Sequence, residues 1–226
     1  MAWNSTAVRR IRDALIVRPK ERSIIIGSIL GDGALVETAA GGSYRLQIDH
    51  GSAQRAYLWW KYEQLQRWTL SPPRYQPSTH SWRFRTLSHP LFTELARRFY
   101  PNGRKRVPVD IAVDLNDPLA VAIWFMDDGC RYSQGSLVIN TQCFSRTDQK
   151  ILQRALRMRC GVTATLQRDR ERYRLYIPVA DAKRFTAYIE SYVREELRYK
   201  IERSRRDSGP TLRRIAMAGA RQYEPT

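Results

Sequence analysis

The chain has 226 residues, and its 39 basic and 22 acidic side chains give a formal net charge of +17 at pH 7. A hydrophobic content of 42% excludes wholesale disorder, and no apolar stretch approaches the roughly 20 residues of a membrane span. Three cysteines without CxxC spacing argue against a disulfide framework or a zinc finger. The basic N-terminus lacks the features of a secretory signal, so we expect an intracellular protein of the cytoplasm or an organelle matrix, with no membrane partner.

The basic excess predicts a polyanionic partner. Of the 39 basic residues 33 are arginine, the side chain best suited to bidentate contacts with phosphate and guanine. The excess is spread over both halves of the chain, as expected if a long nucleic acid lies across the whole molecule. A solvated basic surface without a partner is the alternative.

The chain consists of two similar halves. Residues 18–33 and 117–129 each have a proline near the start, an apolar body and a final Asp-Gly. This pattern predicts two helices of about three turns whose last residues are Asp32 and Asp128. The halves also share polar residues at an offset of 95 or 96 positions: Asp32 and Asp128, Gln47 and Gln142, Lys105 and Lys200. Such a repeat indicates an internal duplication.

Each predicted motif helix is followed by a hairpin, a helix, a second strand pair and a closing helix. The clearest strands are 34–38, 44–49, 82–85, 131–133, 137–142 and 173–176. The later helices are 52–68, 91–100, 147–159 and 181–197. Ser52 is a plausible N-cap of the first of these helices, and Gly161 lies just beyond the end of the helix 147–159. The predicted fold class is α+β, with two pseudo-symmetric αββαββα halves, each an antiparallel sheet packed by helices. We place the halves at 1–110 and 111–203, followed by a basic tail at 204–226.

The two Asp-Gly sequences put carboxylates where a helix disfavours them. A helix C-terminus carries partial negative charge, so Asp32 and Asp128 are each disfavoured by up to about 1 kcal/mol. If the helices pack side by side, as Gly27 and Gly31 on one helix face would allow, the carboxylates also repel each other. A divalent cation relieves both penalties, and Mg²⁺ is typically held by one or two carboxylates plus phosphate oxygens. The alternative is an ordinary turn after a buried helix.

Residues 25–33 and 121–129 read IIGSILGDG and VAIWFMDDG. They resemble two copies of the LAGLIDADG motif, and segments 70–73, 105–108 and 138–144 extend the likeness in order along the chain. The chain thus resembles the single-chain LAGLIDADG homing endonucleases, closest to their free-standing intron-encoded branch. The departures from the motif letters concern the fit between the helices: Ser28, Leu30 and Ile123.

The resemblance implies a monomeric, site-specific endonuclease that cuts one phosphodiester on each strand of a long, asymmetric double-stranded DNA target. It implies a DNA-binding saddle with the motif helices at its centre, and Mg²⁺ as cofactor with Mn²⁺ as a substitute. The implied metal site comprises Asp32 and Asp128 with the preceding Gly31 and Asp127, the Asp127 carboxylate not being expected to ligate. A glutamine and a lysine complete each catalytic centre: Gln47 with Lys105, and Gln142 with Lys200.

Alternation along the predicted strands selects one polar face for DNA. Arginine, glutamine and asparagine are the side chains that pair bidentately with guanine and adenine in the major groove. The candidates for this face are Arg45, Asp49, Arg83, Arg85, Asn140, Arg172 and Arg174. Phosphate contacts are expected from Arg97, Arg98, Arg104 and the arginines of the tail. A solvated surface charge is the alternative for any one arginine.

Two other functions remain open on the same fold: an intron RNA maturase, and a DNA-binding protein without catalysis. The presence of both aspartates and both lysines favours the nuclease. The histidines, His50, His80 and His89, lack ligand spacing and are interpreted as surface or turn residues. Four aromatic residues on one predicted helix are interpreted as core rather than as a platform for base stacking: Tyr57, Trp59, Trp60 and Trp68.

Overall fold

The computed structural model describes residues 6–39 and 41–202, in which eight strands form two four-stranded antiparallel sheets. The strands are Ala34–Glu37 (β1), Tyr44–Gly51 (β2), Arg74–Gln76 (β3), Ser81–Arg85 (β4), Gly129–Arg131 (β5), Leu137–Ile139 (β6), Thr165–Asp169 (β7) and Arg172–Ile177 (β8). The strand orders are β1-β2-β4-β3 and β5-β6-β8-β7, so the second sheet repeats the topology of the first.

Helices cover the sheets in the same order in each half. They are Thr6–Asp13 (α1), Pro19–Leu30 (α2), Arg55–Gln64 (α3), Pro90–Phe99 (α4), Ile111–Asp114 (α5), Pro118–Asp128 (α6), Arg146–Cys160 (α7) and Val179–Ile189 (α8). From α2 to α4 and from α6 to α8 the chain runs αββαββα, which confirms the predicted α+β class. Helices α1 and α5 were not predicted. Among the described helices, none combines the length and apolarity needed to cross a membrane.

The sheets are amphipathic because side chains alternate along each strand. On β2, Leu46 and Ile48 are fully buried, whereas the intervening Gln47 and Asp49 are only partly buried. Across the sheet, Gln47 lies opposite Arg85 and Asp49 lies opposite Arg83. One sheet face therefore enters the core beneath the helices, and the other presents a polar surface.

Helices α2 and α6 pack side by side at the centre of the molecule. Both are buried on nearly all sides, and Gly27 permits the close approach, since a Cβ there would lie 2.5 Å from the carbonyl oxygen of Ala120 and 2.6 Å from Cβ of Ile123. The bulkier Ile123 of one motif thus fits against the glycine of the other.

Several predicted boundaries were wrong, among them the end of the closing helix predicted over 181–197, which stops at Ile189. Helix α2 ends at Leu30, so Asp32 lies in a turn, in which the Gly33 amide donates to the Ser28 carbonyl at 2.6 Å, whereas α6 continues to its aspartate. Strand β6 ends at Ile139, so Asn140 and Gln142 lie in the turn that leads to α7. Ser52 begins a short 3₁₀ turn, Ser52–Gln54, and Gln54 rather than Ser52 precedes α3.

Candidate active site

The two motif aspartates lie at corresponding ends of the paired helices. Asp32 follows α2 with its side chain 40% exposed, and Asp128 is the last residue of α6 and is partly buried. The close packing of α2 against α6 brings both carboxylates to the same end of the helix pair. A Cβ at Gly31 would lie 2.6 Å from Oδ2 of Asp127, so the glycine gives that carboxylate its space.

Each predicted lysine reaches the residue before a motif aspartate. Nζ of Lys105 donates to the Gly31 carbonyl at 2.9 Å, and Nζ of Lys200 donates to the carbonyls of Met126 at 2.5 Å and Asp127 at 3.1 Å. Burial lowers the pKa of both lysines, and the neighbouring carboxylates oppose that shift without reversing it. Each ammonium group therefore contacts the backbone that precedes one motif aspartate, and both lysines are influenced by the charges of Asp32 and Asp128.

The two predicted glutamines have different positions: Gln47 lies on β2, and Gln142 lies in the turn after β6. Oε1 of Gln47 accepts a hydrogen bond from Arg85 at 2.7 Å, and Nε2 of Gln142 donates to Asp169 at 2.7 Å. Gln47 pairs across the sheet with Ala34, two residues after the first motif aspartate. Within the described ranges, neither amide contacts a motif carboxylate.

The two aspartates differ in their electrostatic surroundings. Burial, followed by the charges of Asp32 and Asp127, raises the pKa of Asp128 to about 7. Burial acts in the same direction on Asp32, but the hydrogen bond and charge of His50, followed by the charge of Lys61, outweigh it and lower the pKa of Asp32 below its ordinary value. The protein's positive charges therefore outweigh burial at Asp32, whereas at Asp128 the charges of Lys105 and Lys200 do not.

Three residues that the sequence reasoning did not assign to the site lie directly behind it. His50 is 3% exposed, which corrects its interpretation as a surface or turn residue, and Tyr57 and Lys61 are fully buried. Asp127 accepts hydrogen bonds from Lys61 at 2.7 and 2.9 Å and from the Tyr57 hydroxyl at 3.0 Å. The alternation that buries Leu46 also buries His50, so the signal for its burial was present in the sequence.

The available oxygen atoms fit a divalent cation. In the described part of the chain, the Asp128 carboxylate accepts no hydrogen bond and forms no ion pair, and only Oδ2 of Asp32 is engaged, by His50. A ligating atom of His50 lies within 4.8 Å of oxygens of Asp32 and Asp127, but Lys61 already contacts both His50 and Asp127. The oxygens of Asp32 and Asp128 that have no protein cation are the hard ligands that Mg²⁺ prefers.

The polar sheet face carries arginines that are already held in place. Arg83 pairs with Asp49 at 2.5 Å, and Nη1 of Arg172 donates to the Gln142 carbonyl at 3.1 Å. Arg174 donates to Gln167 at 3.0 Å. Such contacts restrict the side chains before any partner binds, which lowers the entropy lost on binding.

The arginines predicted to contact phosphate differ in whether a carboxylate already pairs with them. Arg98, on α4, pairs with Asp110 and Asp114, each at 2.9 Å, so two carboxylates already balance its charge. Arg97 and Arg104 are exposed, and Arg45 lies on β2 with the polar set. The tail arginines lie outside the described residues.

Comparison with known sequences places the chain among DNA endonucleases. It is 26% identical over 194 residues to a probable intron-encoded endonuclease 1 of Wickerhamomyces canadensis, which covers 80% of this chain and 83% of that protein. It is 29% identical over 206 residues to the DNA endonuclease I-ChuI of Chlamydomonas applanata, which covers 80% and 94%. A cytochrome b mRNA maturase bI2 of Debaryomyces hansenii is 25% identical over 190 residues, which covers 79% and 72%.

Solved structures show the same fold. The homing endonuclease I-WcaI bound to its DNA recognition sequence superposes with a TM-score of 0.80 at 24% identity, covering 89% of this chain and 95% of that one. A variant of I-DmoI in complex with its target DNA in the presence of Mg superposes with a TM-score of 0.51 at 16% identity, covering 76% and 97%. The sequence pattern of the LAGLIDADG DNA endonuclease family matches residues 22–185, and the chain belongs to that family.

Proposed function

We propose that the protein is a site-specific homing endonuclease that cuts both strands of a long DNA target as a monomer, with Mg²⁺ or Mn²⁺ as cofactor. The observation that carries this proposal is the pair of aspartates at the ends of α2 and α6, each preceded by a backbone carbonyl that a lysine contacts, in a chain of charge +17. The two halves, 1–110 and 111–203, each supply one aspartate, and the unequal sequences of the halves suit an asymmetric target.

Asp32 and Asp128 are the proposed ligands of the cation. When bound, the cation would stabilise negative charge on the phosphate and make an attacking water more acidic. The Gly31 and Asp127 carbonyls already accept hydrogen bonds from the lysines, so we assign these residues to holding the lysines. Lys105 would place its positive charge beside one reacting phosphate, where the partly desolvated site strengthens the attraction, and Lys200 would do the same at the other phosphate.

The polar sheet faces are the proposed DNA-reading surface. Their arginines can pair bidentately with guanine, while Asn140 and the glutamines suit adenine. Gln47 and Gln142 lie at the inner ends of these surfaces, each on the chain that follows a motif helix, and would orient the DNA beside the aspartates. We place the protein inside the cell, in the cytoplasm or an organelle matrix, where such DNA is found.

The test replaces each motif carboxylate by an amide of nearly the same shape. Asp32→Asn and Asp128→Asn should each slow double-strand cleavage by about 100-fold or more, because an amide loses the charge that binds the cation. The substrate is the DNA formed by rejoining the sequences that flank the insertion carrying the gene. Binding measured without metal should be unchanged or tighter, because affinity comes from many phosphate contacts and each variant removes a negative charge.

Asp13→Asn provides the control, because it removes the same negative charge from a side chain on α1 that is 65% exposed. It should cut at the wild-type rate. Near wild-type cleavage by either motif variant would show that the active site is wrongly assigned.

A second function, assistance to intron RNA splicing, is favoured by the likeness to the maturase bI2. It would need the same basic surface but neither motif aspartate. The Asp32→Asn and Asp128→Asn variants separate the two functions, because a maturase should still stimulate splicing of its intron RNA after cleavage is lost. No stimulation by wild-type protein would exclude this function.

A further inference from the structure

A buried cluster to which the proposed function assigns no role lies behind Asp32. His50 projects inward from β2, and Tyr57 and Lys61 project from α3 of the same half. Their partner Asp127 belongs to α6 of the other half. Lysine is almost never fully buried unless it is paired, so the arrangement calls for a physical account.

Lys61 lies against one of the two ring nitrogens of His50. Its Nζ donates to both carboxylate oxygens of Asp127 and lies 3.3 Å from Nε2 of His50, closer than the 3.9 Å that separates this nitrogen from Oδ1 of Asp127. An ammonium group has donors and no acceptor, so the nitrogen that faces it must offer a lone pair. The proton of the neutral imidazole is therefore on Nδ1.

The other side of the ring faces the motif aspartate. Nδ1 of His50 lies 3.3 Å from Oδ2 of Asp32, so the Nδ1 proton points at that carboxylate. The Asp32 amide also donates to Oδ2 of Asp127 at 3.2 Å. Asp32 is thus held through its side chain by His50 and through its backbone by Asp127, and Lys61 connects the two.

We propose that His50 is the positioning residue for Asp32, and that Lys61, fixed by Asp127 of the opposite half, holds His50 in the Nδ1-protonated tautomer this role requires. This arrangement exists at Asp32 and not at Asp128, because within residues 6–39 and 41–202 the Asp128 carboxylate has no such donor. It makes the placement of Asp32 depend on correct packing of the two halves, because Asp127 reaches Lys61 only across their boundary.

The tautomer can be measured in the wild-type protein without metal or DNA. The chain has three histidines, so selective ¹⁵N labelling gives three imidazole spin systems, which long-range ¹H–¹⁵N correlation at pH 8 sorts by tautomer. His50, assigned by its loss in His50→Asn, should be protonated at Nδ1. His89 is an internal reference for the other tautomer. Its Nδ1 accepts a hydrogen bond from the Leu91 amide at 3.1 Å, so the proton of the neutral ring must be on Nε2. An Nε2-protonated His50 would overturn the proposal.

Two substitutions distinguish positioning from simple packing. An asparagine amide lies near the place of Nδ1 and keeps a donor toward Asp32, whereas a glutamine amide extends toward the place of Nε2 and leaves Asp32 without one. Loss of a group that orients a metal ligand typically weakens metal binding 10- to 100-fold. His50→Gln should therefore raise the Mg²⁺ concentration for half-maximal cleavage about 10-fold or more, and His50→Asn should stay within about 3-fold of wild type. Equal behaviour of the two variants would contradict the proposal.

This second measurement depends on the proposed nuclease function, and the first does not. Calorimetric titration of Ca²⁺ into the enzyme–DNA complex gives the metal affinity without cleavage and should rank the variants in the same order. A protein that cuts no DNA would overturn the proposed function, while the tautomer of His50 would still decide this inference. If His50→Gln fails to fold, the wild-type spectrum and the His50→Asn variant decide it.

Discussion

Asp128→Asn should make the metal-free protein more stable at pH 8, although it removes a predicted catalytic group. The carboxylate of Asp128 has a pKa of about 7 in the folded protein, against an ordinary value of 3.8. Between these two values the unfolded chain has released its proton while the folded protein retains it, so unfolding becomes easier as pH rises. Above pH 7 the full penalty is present, and below pH 4 it is absent.

The size of the effect follows from that difference in pKa. A shift of about 3 units corresponds to roughly 4 kcal/mol at 1.36 kcal/mol per unit. Part of this is recovered by water, because Asp128 is only partly buried, so we expect a gain of about 1–3 kcal/mol for Asp128→Asn at pH 8. The gain should shrink steadily from pH 7 towards pH 4.

Urea denaturation followed by tryptophan fluorescence, in EDTA and without DNA, measures this free energy directly. Asp32→Asn is the matched comparison, since the pKa of Asp32 is lowered in the folded protein. Its charge stabilises the fold above the ordinary pKa, and that contribution is lost as pH falls through the lowered value, so Asp32→Asn should destabilise the protein at pH 8. A stability of Asp128→Asn at or below wild type at pH 8, or a gain that is equal at pH 4 and pH 8, would refute the reasoning.

Two further predictions concern the helix pair and the lysines. Gly27→Ala should destabilise the fold by about 1–3 kcal/mol in the same denaturation experiment, because the added Cβ would lie 2.5 Å from a backbone oxygen of α6. Ser28→Ala is its control on the same helix and should be close to neutral, because the buried Ser28 hydroxyl has no hydrogen-bond partner among the residues that the structure describes. Lys105→Met should slow cleavage of one DNA strand about 100-fold, and Lys200→Met should slow cleavage of the other strand by a similar factor. On a plasmid substrate each variant should accumulate open circles, and strand-specific labels would show which strand remains uncut. Equal slowing of both strands by both variants would make the lysines structural.

The repeated pattern of the sequence was sufficient to predict the two αββαββα halves and the two lysines that contact the ends of the motif helices. Alternating polar and apolar residues fixed the orientation of β2, and the duplicate offset located Lys105 and Lys200, which do reach the ends of the motif helices. The strand containing Gln142 was predicted too long, because the alternation continues through a turn after Ile139. Periodicity reports which side of the chain is buried, but it does not report where hydrogen bonding of a strand stops.

The cluster behind Asp32 was missed for a different reason. The spacing of Tyr57 and Lys61 along a helix indicates that both share a face, but a lysine on a buried face needs a partner that local sequence does not reveal. That partner, Asp127, lies 66 residues further along and in the other half. Its contribution becomes visible only when α2 and α6 are packed together.

The difference between the two motifs at one position explains why their surroundings are unequal. Asp127 occupies the position before the motif aspartate, where the first motif has Gly31, and its carboxylate fills the space that a Gly31 side chain would need. A third buried carboxylate beside Asp32 and Asp128 would be strongly unfavourable alone, and Lys61 supplies the compensating charge at 2.7 Å. The same ammonium then orients His50 toward Asp32. A glycine in one motif, an acid in the other and a lysine on a third helix are therefore physically linked, and changing any one of them alone leaves either a steric clash or an unpaired buried charge.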